Sequence, residues 1–240
     1  MPTKILLVSD IHANFPALAA IDRLVDSAGF DLILNGGDST VYGPFPNETL
    51  DWLRAHRALS ILGNTDVKII RLLRGEPLIK PRKPEKRIMY TWTAAELTPA
   101  NRDLLDGLPK RLRLEVEGFR LGLFHGSPAD DDELLFADTP PERFRELARE
   151  ADCDIVIAGH SHSPFHKMAD AVHFINPGSA GRMFDGSPDG SFATLELATG
   201  RVDVRLYRCP YPVDQIIAGL RANGLPAVYE EMYRIGRKLN

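Results

Sequence analysis

Cysteine is scarce in this chain. Only Cys153 and Cys209 occur in 240 residues, and no CxxC pair is present. Two cysteines so far apart cannot build a disulfide framework, so a fold held together by several disulfides is excluded. We expect two buried free thiols, which fits a reducing compartment.

Long apolar runs and an excess of one charge are also lacking. No run approaches the ~20 apolar residues of a membrane helix, and charge interrupts the first ten residues, MPTKILLVSD, too early for a signal peptide. The net charge of −4 is too small to indicate a membrane or nucleic-acid partner. We therefore expect a cytoplasmic protein with no membrane partner and an unlikely nucleic-acid partner, while the oligomeric state stays open.

The first third of the chain alternates apolar runs with helical patterns. The runs at 5–8, 32–34 and 59–62 are separated by helical spacing at about 17–27 and 47–55, and each run ends in a polar turn. Such alternation predicts an α/β fold with parallel strands. No repeat or linker interrupts it, so one domain over residues 1–240 is expected.

The rest of the chain mixes both patterns. Residues 75–87 carry three prolines and are predicted to be an irregular loop. Strands are predicted at 111–117, 119–124, 154–158, 172–175, 191–197 and 201–207, and helices at 98–107, 141–150, 213–222 and 227–238.

Polar residues that could bind a metal follow six of the predicted strands. Because the carboxyl ends of parallel strands meet at one edge, these side chains should share a cleft. Their nitrogen and oxygen atoms suit Mn²⁺, Fe, Zn²⁺, Co²⁺ or Ni²⁺ better than Ca²⁺, and Mn²⁺ is our first choice. Each short motif alone also fits an ordinary turn. The residues are Asp10, His12, Asp38, Asn64, His125, His160, His162 and the turn at Asn176.

A charge count favours hydrolysis at two metals. Two divalent cations bring four positive charges, and Asp10 and Asp38 neutralise two of them. The remaining charge can hold a hydroxide and a phosphate oxygen, as two-metal hydrolysis requires.

The order of these motifs resembles the calcineurin-like metallophosphoesterase superfamily over residues 4–180. The matching motifs are Asp10-x-His12, Gly37-Asp38, Gly63-Asn64, His125-Gly126 and Gly159-His160-x-His162. The loop Gly43-Pro44-x-Pro46-Asn47-Glu48 and the turn Asn176-Pro177-Gly178-Ser179 resemble its small bacterial and archaeal phosphodiesterase branch.

The resemblance implies two mixed β-sheets packed as a sandwich, flanked by α-helices, with the metal site at the carboxyl ends of strands. It implies that Asp10, His12 and His162 bind one metal ion and that Asn64, His125 and His160 bind a second. Asp38 would bridge both ions and hold a metal-bridging hydroxide that attacks phosphorus.

One position departs from the superfamily pattern. Many members have histidine after Gly-Asn, where it protonates the leaving group, and this chain has Thr65. A hydroxyl cannot act as a general acid near neutral pH. We therefore expect a preference for phosphodiesters or activated esters. Asp66 is expected to orient a metal ligand without binding the metal itself.

Other residues keep two interpretations. Arg182 either contacts a substrate phosphate or lies at the surface, and Tyr42 either lines the cleft or packs. The basic run Lys80–Arg87 is either a solvated loop or an electrostatic lip for an anionic substrate. The histidines outside the motifs are assigned structural roles; they are His56, His166 and His173.

Three functions stay open on this basis. The leading one is an enzyme, a metal-dependent phosphodiesterase or phosphatase acting on a small phosphate ester. A nuclease acting through the same site is disfavoured by the negative net charge. A non-catalytic metal-binding scaffold is the third, although all seven implied ligands are present.

Overall fold

The computed structural model describes residues 1–26 and 29–240. Within these ranges the strands are β1 (Thr3–Val8), β2 (Leu32–Asn35), β3 (Leu59–Ser60), β4 (Arg111–Val116), β5 (Phe119–Phe124), β6 (Ile155–Ile157), β7 (Phe165–Ala169), β8 (Val172–Asn176), β9 (Gly190–Ala198) and β10 (Arg201–Cys209). The helices are α1 (Phe15–Val25), α2 (Pro46–Ala55), α3 (Asn64–Leu73), α4 (Pro84–Glu96), α5 (Pro99–Asp106), α6 (Pro141–Ala151), α7 (Val213–Ala222) and α8 (Val228–Ile235).

The strands form two mixed sheets, which confirms the expected fold. The first sheet has the order β10-β9-β1-β2-β3, and the second has the order β4-β5-β6-β8-β7. Strands β1, β2 and β3 run parallel, as do β5, β6 and β8, while the other neighbours are antiparallel. The parallel strands of each sheet therefore direct their carboxyl ends to a common edge.

Residues 5–8 of β1 are all apolar and buried, because both faces of the strand are covered there. Side chains alternate between the faces of a strand. Ile5 and Leu7 enter a core that also contains Leu123 and Ile157 of the second sheet, so the two sheets pack face to face. Leu6, on the opposite face, enters the core beneath the helices.

Helices cover the outer faces of the sandwich. Helix α1 begins after Asn14, whose side chain accepts a hydrogen bond from the amide of Ala17, as an N-cap does. Helix α6 packs Phe144 and Leu147 against the outer face of the second sheet. Among the described residues, no helix combines the length and apolar character needed to cross a membrane.

Three features differ from the sequence-based expectation. The predicted loop at 75–87 is partly wrong, because α4 already begins at Pro84; proline is favourable in a first helical turn. Helix α3 and strand β7 were not predicted. The predicted end of the first helix, at Ser27, lies outside the described residues.

The inter-sheet core makes a testable contribution to stability. Leu123 is buried between the sheets, and its replacement by alanine leaves a cavity there. We expect Leu123→Ala to lower the free energy of unfolding by about 2–5 kcal/mol in urea titrations. Leu206→Ala, at an exposed position of β10, is the matched control; an equal loss in both variants would contradict this account of the core.

Candidate metal centre

The loops that follow the parallel strands converge on one site. Asp10 and His12 follow β1, and Asp38 follows β2. Asn64 opens α3 just beyond β3. From the second sheet, His125 follows β5, and both His160 and His162 follow β6. Each sequence-predicted metal ligand therefore stands at the end of its strand.

Six of these side chains form two groups that could each hold a metal ion. One group is Asp10, His12 and His162, and the other is Asp38, His125 and His160; within each group the potential ligand atoms lie within 4.8 Å of one another. Each group draws ligands from both sheets. The site therefore lies across the seam of the sandwich.

Backbone carbonyls set the tautomers of three histidines. Nδ1 of His12 lies 3.3 Å from the carbonyl oxygen of Thr40, Nδ1 of His125 lies 2.8 Å from that of Gly36, and Nδ1 of His162 lies 2.5 Å from that of Arg182. A carbonyl oxygen only accepts hydrogen bonds, so each Nδ1 carries the proton. The Nε2 atoms are thereby turned inward, as metal-binding histidines require.

The inward nitrogens lack suitable protein partners. Nε2 of His12 faces Nε2 of His162 at 3.2 Å, so two neutral rings would oppose their lone pairs. Nε2 of His162 also lies 3.2 Å from Oδ1 of Asp10. Among the described residues, neither that oxygen nor the buried Nε2 of His125 has a hydrogen-bond partner. Buried polar atoms are rarely left unsatisfied. A cation between these atoms would satisfy them, so the residues fit a metal centre.

The two carboxylates are buried and hold their charge. Burial alone would raise the pKa of Asp10, but His162, His125 and His12 together outweigh burial and lower that pKa. For Asp38, His125 and His12 likewise outweigh burial and lower the pKa. Asp10 also accepts hydrogen bonds from Ser9 Oγ at 2.6 Å and from the amide of His160 at 3.0 Å.

Burial and neighbouring charges shift the pKa values of the histidines in different directions. Burial lowers the pKa of His12 to about 3, although Asp38 acts in the opposite direction. Burial also lowers the pKa of His160, followed by repulsion from His125. For His125 the attraction of Asp38 and Asp10 overcomes burial and raises the pKa. Burial thus favours neutral rings at His12 and His160, while the two carboxylates favour positive charge at His125.

Asp38 stands between the two groups. Its Oδ2 is 3.8 Å from Nε2 of His12, and its Oδ1 is 3.6 Å from Nε2 of His125. The amide of Thr65 donates to Oδ1 at 2.8 Å. One oxygen of Asp38 therefore faces each group, which is the arrangement that a bridging carboxylate needs.

The backbone of the site is held in an uncommon conformation. Five of the predicted ligands have left-handed φ angles between 52° and 65°; they are Asp10, His12, Asp38, His160 and His162. Such residues cost about 1–3 kcal/mol each and persist only where the surrounding structure enforces them. The flanking glycines are required by space: a Cβ at Gly63 would collide with the Asp38 carboxylate, and one at Gly159 with Ser9.

Asp66 holds the loops behind the site rather than facing it. Its carboxylate accepts hydrogen bonds from the amides of Ser39, Thr40 and Gly63 and from Thr40 Oγ1. Burial and the nearby charge of Asp38 raise the pKa of Asp66 to about 6, against the pull of these donors. Asp66 thereby ties the Asp38 loop to the start of α3, where Asn64 stands.

The turn at Asn176 has a supporting place. Asn176 Nδ2 donates to the carbonyl oxygen of Gly159 at 2.8 Å, just before His160. Ser179 Oγ donates to the carbonyl oxygen of Asp10 at 2.6 Å and accepts from the amide of Arg182 at 2.7 Å. The turn therefore fixes the loops that carry Asp10 and His160.

Arg182 is buried, so the alternative of a surface position is wrong. Only 7% of it is exposed, its Cζ lies 3.9 Å from the centre of the Tyr42 ring, and its Nε has no hydrogen-bond partner. Within the described part of the chain, no carboxylate pairs with it. Spacing along the chain could not predict this burial, because two of the rings around Arg182, those of Tyr42 and Tyr229, come from distant segments.

Two cavities open beside the metal ligands. The larger, of about 690 Å³, is lined by His12, His160, His162 and Arg182 among others. The smaller, of about 200 Å³, lies beside His125. Asn64 and Lys68 line both, so the two cavities meet at the start of α3. Tyr42 also lines the larger cavity.

The remaining histidines lie away from the site. His56 stacks on Trp52 at the end of α2, with ring centres 4.1 Å apart. His166 and His173 pair across β7 and β8, where their Nε2 and Nδ1 atoms are 2.9 Å apart. Neither metal-capable group includes them. Two further residues, Phe184 and Lys68, line the larger cavity. No pattern in the sequence predicted a place for them in the site.

Two known proteins are similar in sequence to most of this chain. A curated relative is an uncharacterized protein of Methanocaldococcus jannaschii, 26% identical over 98% of this chain and 99% of its own length. Phosphodiesterase YfcE of Escherichia coli is 24% identical over 80% of this chain and 87% of its own.

Solved structures share the fold. A metallophosphoesterase from Sphaerobacter thermophilus superposes with a TM-score of 0.81 at 26% identity, covering 98% of this chain and all of that one. A hypothetical protein from Pyrococcus horikoshii gives a TM-score of 0.87 at 17% identity, covering 98% of this chain and 99% of that one. Residues 3–200 match the sequence profile of the calcineurin-like phosphoesterase superfamily domain, and the chain belongs to that family.

Proposed function

We propose that this chain is a dinuclear metal-dependent phosphoesterase that hydrolyses phosphodiesters or activated phosphate esters. The observation that carries the proposal is the pair of facing Nε2 atoms of His12 and His162, 3.2 Å apart, with both Nδ1 atoms committed to carbonyl oxygens. This arrangement is unfavourable without a cation and favourable with one.

The ligand assignment follows the two groups. Asp10, His12 and His162 would hold one ion, while His125, His160 and Asn64 would hold the other. Asp38 would contact both. The nitrogen and oxygen donors suit Mn²⁺ and its neighbours in the first transition row, and Mn²⁺ is the ion we would supply first.

The cations would supply Lewis acidity, which activates water and neutralises charge on the phosphoryl oxygens. The protein would supply the positions of the ligands and a positively charged group beside them. Its left-handed loops hold the ligands in place, and Asp66 secures two of those loops from behind. Arg182 presents a guanidinium to the cleft without a protein anion, and this planar group suits a phosphate.

Two features support a diester over an alkyl monoester. Thr65 stands where a general acid would serve a poor leaving group, and among the described residues its Oγ1 has no hydrogen-bond partner. The two cavities that meet at Asn64 offer one space for each ester substituent. The name of the Escherichia coli relative, phosphodiesterase, agrees with this choice.

Metal binding should stabilise the fold. After treatment with chelator, titration with Mn²⁺ in a calorimeter should give two ions per chain. At about 100 times the dissociation constant, linkage adds ~2.7 kcal/mol, which raises the melting temperature by about 5–10 °C for a chain of this size. Asp38→Asn should lose most of this rise, because it weakens both sites, whereas the exposed Asp51→Asn should keep it. No binding by the wild type would refute the assignment.

Hydrolysis should favour diesters. With Mn²⁺ restored, bis(p-nitrophenyl) phosphate should be cleaved, and Asp38→Asn should lower kcat at least about 10²-fold because it removes a ligand shared by both ions. An alkyl monoester such as glycerol 2-phosphate should be cleaved more slowly. Faster turnover of the monoester would refute the interpretation of Thr65.

Arg182 should act on the substrate and not on metal loading. Arg182→Met keeps the apolar contacts but removes a charge-assisted hydrogen bond, so kcat/KM for bis(p-nitrophenyl) phosphate should fall about 10–100-fold. The Mn²⁺ stoichiometry should not change. Arg205→Met, at an exposed site on β10, is the matched control. An unaltered kcat/KM in Arg182→Met would exclude a phosphate contact.

A further inference from the structure

One wall of the larger cavity is formed by cations from several segments. Lys68 comes from α3, Lys80 and Arg82 come from the segment before α4, and Lys86 comes from the first turn of α4. Arg182 and Lys238 complete the set. Asp38 is the only acidic residue among the described residues that line this cavity. These six cations are named below as the basic wall; they are Lys68, Lys80, Arg82, Lys86, Arg182 and Lys238.

The basic wall lacks protein counter-ions. Within the part of the chain that the structure describes, none of its members forms an ion pair with a carboxylate, although exposed arginines elsewhere pair repeatedly, as Arg120 does with Asp152 and Asp154. Burial lowers the pKa of Lys86, and repulsion from Lys238 and Arg182 lowers it further. Like charges gathered without an anion repel one another, so their grouping needs a compensating ligand.

The basic wall is continuous with the metal ligands. The ring of His162 stacks on Phe184 with centres 4.6 Å apart. Arg182 and Lys238 both lie against the Phe184 ring. Cζ of Arg182 is 5.0 Å and Nζ of Lys238 is 5.9 Å from the centre of that ring. Lys86, which feels the charges of both Arg182 and Lys238, lines the same cavity, so a ligand at the metal ligands shares this cavity with all three cations.

The number of positive charges exceeds what one phosphodiester needs. A diester phosphate carries one negative charge, which the metal site and Arg182 already match. The other five members of the basic wall would face no charge. Resting on the proposed function, we infer that the substrate carries a second phosphate group, bound by Lys80, Lys86 and Lys238 on the side of the cavity away from the metal ligands.

The shape of the site favours a small molecule over a nucleic acid. The basic wall surrounds a cavity of about 690 Å³ with Pro81 and Leu134 among its lining residues, a volume typical of small-ligand sites. A nucleic-acid groove would instead extend positive charge along the surface, on a chain whose net charge is −4.

The test uses two ligands that differ by one phosphate. Fructose 1,6-bisphosphate and fructose 6-phosphate are titrated into the Mn²⁺-loaded protein in a calorimeter. We expect the bisphosphate to bind at least about ten-fold more tightly. In Lys80→Gln/Lys86→Gln this preference should fall to about two-fold or less, and Lys238→Gln should lower it in the same direction.

Lys83→Gln is the matched control, because Lys83 belongs to the same basic segment but does not line the cavity. It should keep the full preference. Equal affinities for both sugars in the wild type, an equal loss of preference in Lys83→Gln, or tighter binding of a single-stranded oligothymidylate than of the bisphosphate would overturn the inference.

Hydrolysis and bisphosphate binding are measured separately, so the proposed function and the second phosphate site can each be refuted alone. Absence of bis(p-nitrophenyl) phosphate hydrolysis, with the bisphosphate preference intact, would overturn the proposed function and leave the second phosphate site standing. Hydrolysis without the preference would overturn only the second phosphate site.

Discussion

The structure depends on two carboxylates buried where two sheets meet. Asp10 and Asp38 are almost fully removed from water, and such charges are costly unless they are compensated. The surrounding chain is arranged to supply that compensation. Imidazoles face the carboxylates, backbone amides of His160 and Thr65 donate to them, and left-handed turns bring these groups within reach. A site so arranged favours cations, and the phosphate chemistry that we propose would follow from that preference.

Much of the fold and of the site could be predicted because both follow from local patterns. Buried parallel strands appear as short apolar runs, and their ends carry the polar turns. Helix α3 escaped prediction because Gly63-Asn64-Thr65 is typical of a turn, while Asp66, at the third helical position, satisfies the amide of Gly63. Strand β7 escaped because its sequence, FHKMA, has no clear apolar alternation, although it pairs with the neighbouring β8 across a short turn.

Other features depend on contacts between distant residues. The burial of Arg182 arises largely from the rings of Tyr42 and Tyr229, and no spacing along the chain predicts such a group. The basic run Lys80–Arg87 was visible in the sequence, but the sequence did not show which of its side chains line the cavity. The start of α4 at Pro84 determines that Lys86 faces the cavity while Lys83 does not. Positions within a helical turn thus decide which charges of one segment meet a ligand.

The seam position of the metal centre also bears on how the protein unfolds. His12 and His162 are 150 residues apart in the chain and belong to different sheets, so an ion held by both acts as a cross-link between them. Separating the sheets would then require releasing the ion, so metal dissociation and unfolding become one slow event. Persistence of the fold would be governed by the rate of metal loss as well as by the depth of the apolar core.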